Sequence, residues 1–209
     1  MKIDPIQVLT WDKAPIPHLG QVKALLQAGA RWIQLRQKNA DDKEKLKTAL
    51  AVSALCREYQ ATLIINDDPH LCLKCNAHGV HLGLSDTSIS EARHILGSKA
   101  IIGGTANTLE QVEKRMEEGA DYIGLGPFRF TSTKENLSRA LGLGGVSAVT
   151  SFVQKRAEKG LYTCPFVVIG GINPADLKSL KTAGANGVAV CSAIVSAHDI
   201  SKAFSSFKW

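Results

Sequence analysis

Apolar and polar positions alternate along this chain in two rhythms. Short runs rich in aliphatic and β-branched residues occupy 6 to 10 (IQVLT), 61 to 66 (ATLIIN), 100 to 104 (AIIGG) and 166 to 171 (FVVIGG). Four more segments share one plan: QAGARWIQLR (27 to 36), KCNAHGVHLG (74 to 83), EEGADYIGLG (117 to 126) and TAGANGVAVC (182 to 191). Each closes a helical stretch with a small-residue break, where glycine or asparagine suits a left-handed cap. Each then enters an apolar run of the length expected for a buried parallel strand. Helical patterns fill the intervals, at 41 to 59, 88 to 96, 108 to 118, 145 to 159 and 174 to 183.

Strict alternation of strand and helix implies a parallel sheet. The eight strands so counted in 209 residues predict a short (β/α)8 TIM barrel, one domain spanning 1 to 209. An open doubly wound sheet is the rival, but no G-x-G-x-x-G follows the first strand. No linker or low-complexity segment divides the chain.

Composition narrows the function. The chain is 44% hydrophobic with no apolar run near the ~20 residues of a bilayer span. Asp4 and Pro5 stand where a secretory leader needs its apolar stretch, so a cytoplasmic location with no membrane partner is expected. The net charge is +6, but the basic residues are scattered, with no run of five or more. That favours a small anionic substrate over nucleic acid. Five cysteines, an odd number without a secretory signal, argue against a disulfide framework. His70, Cys72, Cys75, His78 and His81 cluster in sequence, yet no second ligand pair lies at zinc spacing. Cys72 and Cys75 are expected instead as small buried residues of a short helix.

A barrel keeps its chemistry at the C-terminal ends of its strands, and polar residues gather there. In WIQLRQK, period-two alternation puts Gln34, Arg36 and Lys38 on one side. IINDD ends the third strand with Asn66, Asp67 and Asp68, and VHLGLSD brings Asp86 just beyond the fourth. Either aspartate could cap the following helix. As a pair on neighbouring strands, a carboxylate after the third strand and Asp86 could instead hold magnesium, which takes one or two carboxylates plus phosphate oxygens and water. With Arg36, Lys38 and Lys134, such a metal would neutralise a pyrophosphate.

The sixth strand runs into GPFRFTSTK (126 to 134), where Thr131, Ser132, Thr133 and Lys134 crowd hydroxyls and a cation into a stretch that suits neither helix nor strand. The seventh strand ends in IGGIN, and the eighth in AVCSAI before a final helix. Backbone N–H groups of Gly170, Gly171, Cys191 and Ser192 there match the usual barrel phosphate site. Two anion sites are therefore expected, with Thr131 and Thr133 between them.

The set QLRQK, INDD, HLGLSD, GPFRFTSTK, IGGIN and GVAVCSAI, in this order over nearly the whole chain, resembles the thiamine phosphate synthase family. IGGI alone is weak; the combination Q-L-R-x-K, N-D and G-P-x-x-x-T-x-T-K is specific. The resemblance implies a magnesium-dependent, dissociative joining of hydroxymethylpyrimidine pyrophosphate to a thiazole phosphate, with no protein nucleophile. It implies that Gln34 contacts the pyrimidine, that Arg36, Lys38, Asn66 and Lys134 hold pyrophosphate, and that Asp67 and Asp86 bind Mg2+. Thr131 and Thr133 would contact phosphate oxygens, and Gly171 with the backbone at Cys191 and Ser192 would hold the thiazole phosphate. Thr105 sits where the family usually has serine.

Three positions depart from the family pattern. Leu84 stands where a glutamine is usual, Asn107 replaces a common histidine, and Arg129 adds a cation beside the phosphate loop. A related thiazole tautomerase is the main alternative; its base would stand at Asn107, and asparagine is no base near neutral pH. A non-catalytic sensor of phosphorylated ligands is a second alternative, whose mark would be lost metal ligands or a lost Lys134. The sequence leaves open whether the protein is a homo-oligomer.

Overall fold

A computed structural model describes residues 4–130 and 139–209 of the chain. Thr131, Thr133 and Lys134 lie outside the described residues.

The first half runs β1 (Ile6–Leu9), α1 (His18–Gln27), β2 (Trp32–Leu35), α2 (Asp42–Glu58), β3 (Thr62–Asn66), α3 (Pro69–Lys74), β4 (Gly79–Leu82) and α4 (Ile89–Leu96). The second half runs β5 (Ile101–Ala106), α5 (Leu109–Glu117), β6 (Tyr122–Leu125), α6 (Gly142–Glu158), β7 (Phe166–Ile169), α7 (Leu177–Thr182), β8 (Gly187–Val190), α8 (Ser192–Val195) and α9 (Ile200–Ser205). The strands close into a parallel barrel in chain order, β1 pairing with both β2 and β8. The expected (β/α)8 architecture is the one observed.

Alternation along each strand builds two cores. Outward residues such as Ile33, Leu35, Leu63 and Ile65 pack against the helices. Inward residues Leu9, Trp32, Ile64, Tyr122, Val167 and Ala189 fill the barrel. Trp32 and Tyr122 meet edge to face, with centroids 4.9 Å apart. This filling makes the interior a solid plug. Space for it comes from glycine: a Cβ on Gly103 would stand 2.2 Å from the Tyr122 ring.

Capping fixes where the helices begin. Asp41, Asp68, Ser88 and Thr108 accept from the backbone N–H three residues on, starting α2, α3, α4 and α5; each such cap is worth about 1 kcal/mol. The left-handed breaks occur as expected at Gly29, Asn76, Gly119 and Gly184.

Some elements differ from the pattern. The break at 27 to 30 implies a helix before it but not where that helix starts; α1 carries Gly20 and has no side-chain N-cap bond, so the signal for its start is weak. The stretch from 174 opens as a 3-10 turn, Pro174–Asp176, before α7. Two short helices follow β8 rather than one. The cysteines fall as expected: Cys72 lies in α3 and Cys75 caps its end, both buried. Burial pushes the Cys72 thiol up to about 12, and its Sγ donates to the Gly79 carbonyl at 3.2 Å. His78 accepts from the Leu63 N–H at 3.0 Å. Among the described residues no helix is long and apolar enough to cross a membrane.

Candidate active site

Where inward-pointing strand residues reach the C-terminal rim they turn polar, and they line one cavity of about 550 Å³. Gln34, Arg36, Lys38, Asn66, Asp67, Asp86 and Thr105 stand on one side, with Gly170, Gly171, Cys191 and Ser192 on the other. The barrel thus brings together every predicted site residue it describes. Leu84 and Asn107 line the same space.

The floor is a buried polar chain. Gln34 Nε2 donates to Gln7 Oε1 at 3.2 Å, and Gln7 Nε2 donates to the Tyr122 hydroxyl at 3.1 Å. His81 bridges the same hydroxyl (3.0 Å) to Thr105 Oγ1 (3.0 Å). Thr105 lies within β5 rather than after it. Gln34 is 2% exposed, and its Oε1 has no hydrogen-bond partner among the described residues. A buried acceptor left unsatisfied costs about 1–3 kcal/mol, so this oxygen calls for a donor from a ligand or water.

The β2–β4 wall carries the charge. The two adjacent aspartates after β3 divide their work. Asp68 caps α3, accepting from Leu71 N at 2.9 Å. Asp67 sits at φ 67°, a conformation unusual outside glycine, which turns it to the cavity. There its carboxylate meets the Lys38 ammonium at 3.0 Å. Asp86 is not a helix cap, because Ser88 performs that role for α4. Its Oδ2 instead accepts the Gly83 N–H at 2.6 Å. Burial first, and then the Asp67 carboxyl within hydrogen-bonding reach, push the Asp86 carboxyl above its ordinary range, against the pull of the Gly83 N–H and Lys38. Arg115, buried beneath this wall, donates to the carbonyls of Gly83 (2.8 Å) and Thr105 (3.2 Å), bracing both strand ends.

Residues after β1, which the sequence pattern did not single out, hold the β2 arm. Thr10 Oγ1 accepts from Arg36 N at 2.9 Å, and Asp12 Oδ2 accepts from Lys38 N at 3.1 Å. His18 joins the two, 2.9 Å from Thr10 Oγ1 and 3.1 Å from Asp12 Oδ1. The polar strand-end rule applied to LTWD would have found Thr10 and Asp12. His18, inside α1, had no such signal.

The β7–β8 wall is backbone. Gly170 and Gly171 take φ of 102° and 67°, and Cys191 caps the four-residue α8. Burial pushes the Cys191 thiol up to about 12, outweighing the nearby Arg36; a thiol so held is a poor nucleophile. Asn107 is spent on structure: its side-chain amide donates to the Gly126 carbonyl, and its backbone N–H donates to Gln111 Oε1 at 2.7 Å.

A closed barrel with one broad cavity, ringed at its C-terminal rim by cations, carboxylates and glycine-rich backbone, is the layout of a barrel enzyme. The family described as thiamine monophosphate synthase matches residues 9–194. A thiamine-phosphate synthase of Bacteroides fragilis is 43% identical over 194 residues, covering 93% of each chain. One of Flavobacterium johnsoniae is 46% identical over 177 residues, covering 85% of this chain and 81% of the relative. The solved thiamine phosphate pyrophosphorylase of Pyrococcus furiosus superposes with a TM-score of 0.85 at 32% identity, covering 97% of this chain and 92% of that one. The chain belongs to the thiamine monophosphate synthase family, and so to the transferases.

Proposed function

We propose that this protein joins hydroxymethylpyrimidine pyrophosphate to hydroxyethylthiazole phosphate, releasing pyrophosphate and forming thiamine phosphate, with magnesium as cofactor. One observation carries the reading. A single cavity has a charged wall of Arg36, Lys38, Asp67 and Asp86 opposite a neutral backbone wall at Gly170, Gly171, Cys191 and Ser192. Two phosphorylated substrates need two such walls facing each other across a reacting centre.

The C–O bond between the pyrimidine methylene and pyrophosphate breaks first, its electron pair leaving on oxygen. The methylene cation is then captured by the thiazole nitrogen lone pair, forming the C–N bond. No side chain need bond to carbon, so catalysis is positioning and charge stabilisation. Gln34 Oε1, unpartnered and buried, accepts from the pyrimidine amino group. Arg36, Lys38 and Asn66 grip the pyrophosphate, joined by Lys134. Thr131 and Thr133 add hydroxyl donors, and Thr105 contacts the reacting region. Gly171 with the backbone at Cys191 and Ser192 holds the thiazole phosphate.

Asp67 and Asp86 fit a magnesium ion: their carboxyls lie within hydrogen-bonding reach, and burial first, then the neighbouring Asp67 carboxyl, disfavours the ionised form of Asp86 that a divalent cation would stabilise. When bound, Mg2+ would offset the negative charge of the departing pyrophosphate. Among the described residues no three His, Cys, Asp or Glu side chains gather as a metal cage. A two-carboxylate site completed by phosphate and water is the form this ion favours. The same reading places the protein in the cytoplasm, with no nucleic-acid partner.

The test is incubation of the purified protein with both substrates and Mg2+, reading thiamine phosphate by chromatography. Product formed only with all three components supports the reading; none at any magnesium concentration ends it.

A further inference from the structure

The sequence leaves open whether Arg129, the extra cation of GPFRFTSTK, binds phosphate. Its contacts answer differently. Beyond β6 the arm stays bonded to the end of β7 and the turn after it: Phe128 N donates to Ile169 O at 2.8 Å and Arg129 N to Gly170 O at 3.1 Å. The guanidinium then makes a two-pronged pair with Asp176, at 2.8 and 2.7 Å, and donates to the Gly171 carbonyl at 2.8 Å. Asp176 Oδ2 also accepts the Asn173 N–H at 2.7 Å. One ion pair therefore ties the arm leaving β6, the turn after β7 and the start of the next helical turn. Gly171 is shaped to this contact, since a Cβ there would fall 2.4 Å from Arg129 Cγ. The chain also returns at this spot: Leu141 N donates to Pro127 O at 2.9 Å and Gly142 N to Phe128 O at 3.0 Å.

Arg129 and Asp176 do not line the cavity, whereas Gly170 to Asn173 do. The bidentate partner matches the guanidinium's charge and uses its fork geometry. We propose that Arg129 and Asp176 form a clamp that holds the arm leaving β6 in register with the backbone phosphate turn after β7, making Arg129 a positioning residue rather than a phosphate ligand. The proposal rests on the synthase reading, in which that turn holds the thiazole phosphate and the arm leads in sequence to the pyrophosphate ligands.

The experiment compares Arg129→Met, Arg129→Lys, Asp176→Asn and the double variant Arg129→Met with Asp176→Asn. Steady-state kinetics are measured for both substrates beside thermal midpoints. A clamp predicts that each single change lowers kcat/KM by roughly tenfold to a hundredfold, the range for misplaced groups, with little change in midpoint. The double variant should be no worse than either single one, and lysine should rescue only in part, because an ammonium cannot make the two-pronged pair. A phosphate ligand predicts the opposite for Asp176→Asn: freeing the guanidinium leaves binding unchanged or tightens it. That result overturns the clamp. Lowered midpoints with unchanged kinetic constants also overturn it, in favour of a purely structural pair. Should Arg129→Met not fold, Arg129→Lys and Asp176→Asn carry the same contrast. If the unaltered protein makes no thiamine phosphate, the synthase reading fails first. Titration with inorganic phosphate then decides the clamp: Arg129→Met and Asp176→Asn must weaken it alike, and any divergence between them refutes it.

Discussion

The two walls of the cavity handle negative charge by opposite means. The β2–β4 wall uses side chains: Lys38 meets Asp67 at 3.0 Å, and Asp67 crowds Asp86. The β7–β8 wall uses backbone at Gly170, Gly171, Cys191 and Ser192. Ionised side chains supply strong fields but repel one another and depend on pH and counter-ions. Backbone N–H groups are neutral and always available, but they demand that nothing larger than glycine stand in the way. One wall should therefore be sensitive to charge and tolerant of shape, and the other the reverse.

The largest effect tests the charged wall. Asp86→Ala should abolish most magnesium-dependent turnover, a loss of several kcal/mol in transition-state stabilisation, while circular dichroism shows the fold intact. A fully active variant would sink the metal assignment. Stability should move the other way. The folded Asp86 pKa is raised, so its ionised form costs stability: the cost is absent below an unfolded aspartate's ordinary value of about 3.9 and grows as pH rises through the higher folded value. Asp86→Asn should accordingly raise the melting temperature of metal-free protein at neutral pH and remove the stabilisation that added Mg2+ gives the parent.

Next comes Lys134, which the proposed mechanism sets against the departing pyrophosphate. Leaving-group charge grows as the carbon–oxygen bond breaks, so Lys134→Ala should slow the single-turnover chemical step by about a hundredfold, on the order of 3 kcal/mol. Calorimetric affinity for the pyrimidine pyrophosphate should fall much less, and Thr133→Val should slow the chemical step less than Lys134→Ala. Weakened binding with an untouched chemical step would make the segment a passive grip.

The backbone wall is tested by shape. Gly171→Ala adds one methyl group at φ 67°, into the path of Arg129; strain of about 1–3 kcal/mol is the usual cost. Its KM for the thiazole phosphate should rise by roughly tenfold to a hundredfold, and that for the pyrimidine pyrophosphate by clearly less, through the push on Arg129 alone. Equal weakening of both substrates would erase the distinction between the walls.

The smallest effect is acid sensitivity of the clamp. Burial pushes the Asp176 carboxyl up, but the Arg129 guanidinium and the Asn173 N–H outweigh it and hold the carboxyl below its ordinary range. The stability it contributes is complete above about pH 3.9, the unfolded value, and is lost as pH falls through the lower folded one. The small melting-temperature gap expected between parent and Asp176→Asn should thus narrow further only under strong acid. A gap that closes near neutral pH would mean that Asp176 is not held as described.

Much of the site was legible because a barrel converts strand ends into a ring. Gln34, Arg36, Lys38 and Asn66 needed only period-two alternation and the rule that chemistry sits at C-terminal strand ends; Asp86 stayed a rival cap for α4 until Ser88 took that role. Asp67 and Asp68 were not separable in sequence, since both are acidic and adjacent; a left-handed backbone at Asp67 sends one to the cavity and leaves the other as a cap. Thr10 and Asp12 escaped because their role is to hold backbone N–H groups of the neighbouring strand's arm, and His18 because it acts only through those two side chains. Arg129 was undecidable because Asp176 lies 47 residues away.

By itself, then, the sequence determined the alternation of strands and helices, the closed barrel, and the polar residues delivered to its rim. These follow from local periodicity and from burial, both written in nearest neighbours along the chain. Tertiary structure alone decided which charges meet. It put Lys38 against Asp67, Asp67 beside Asp86, and Arg129 across from Asp176. Hydrogen bonds and ion pairs depend on distances of about 3 Å, and those distances exist only once the barrel has closed.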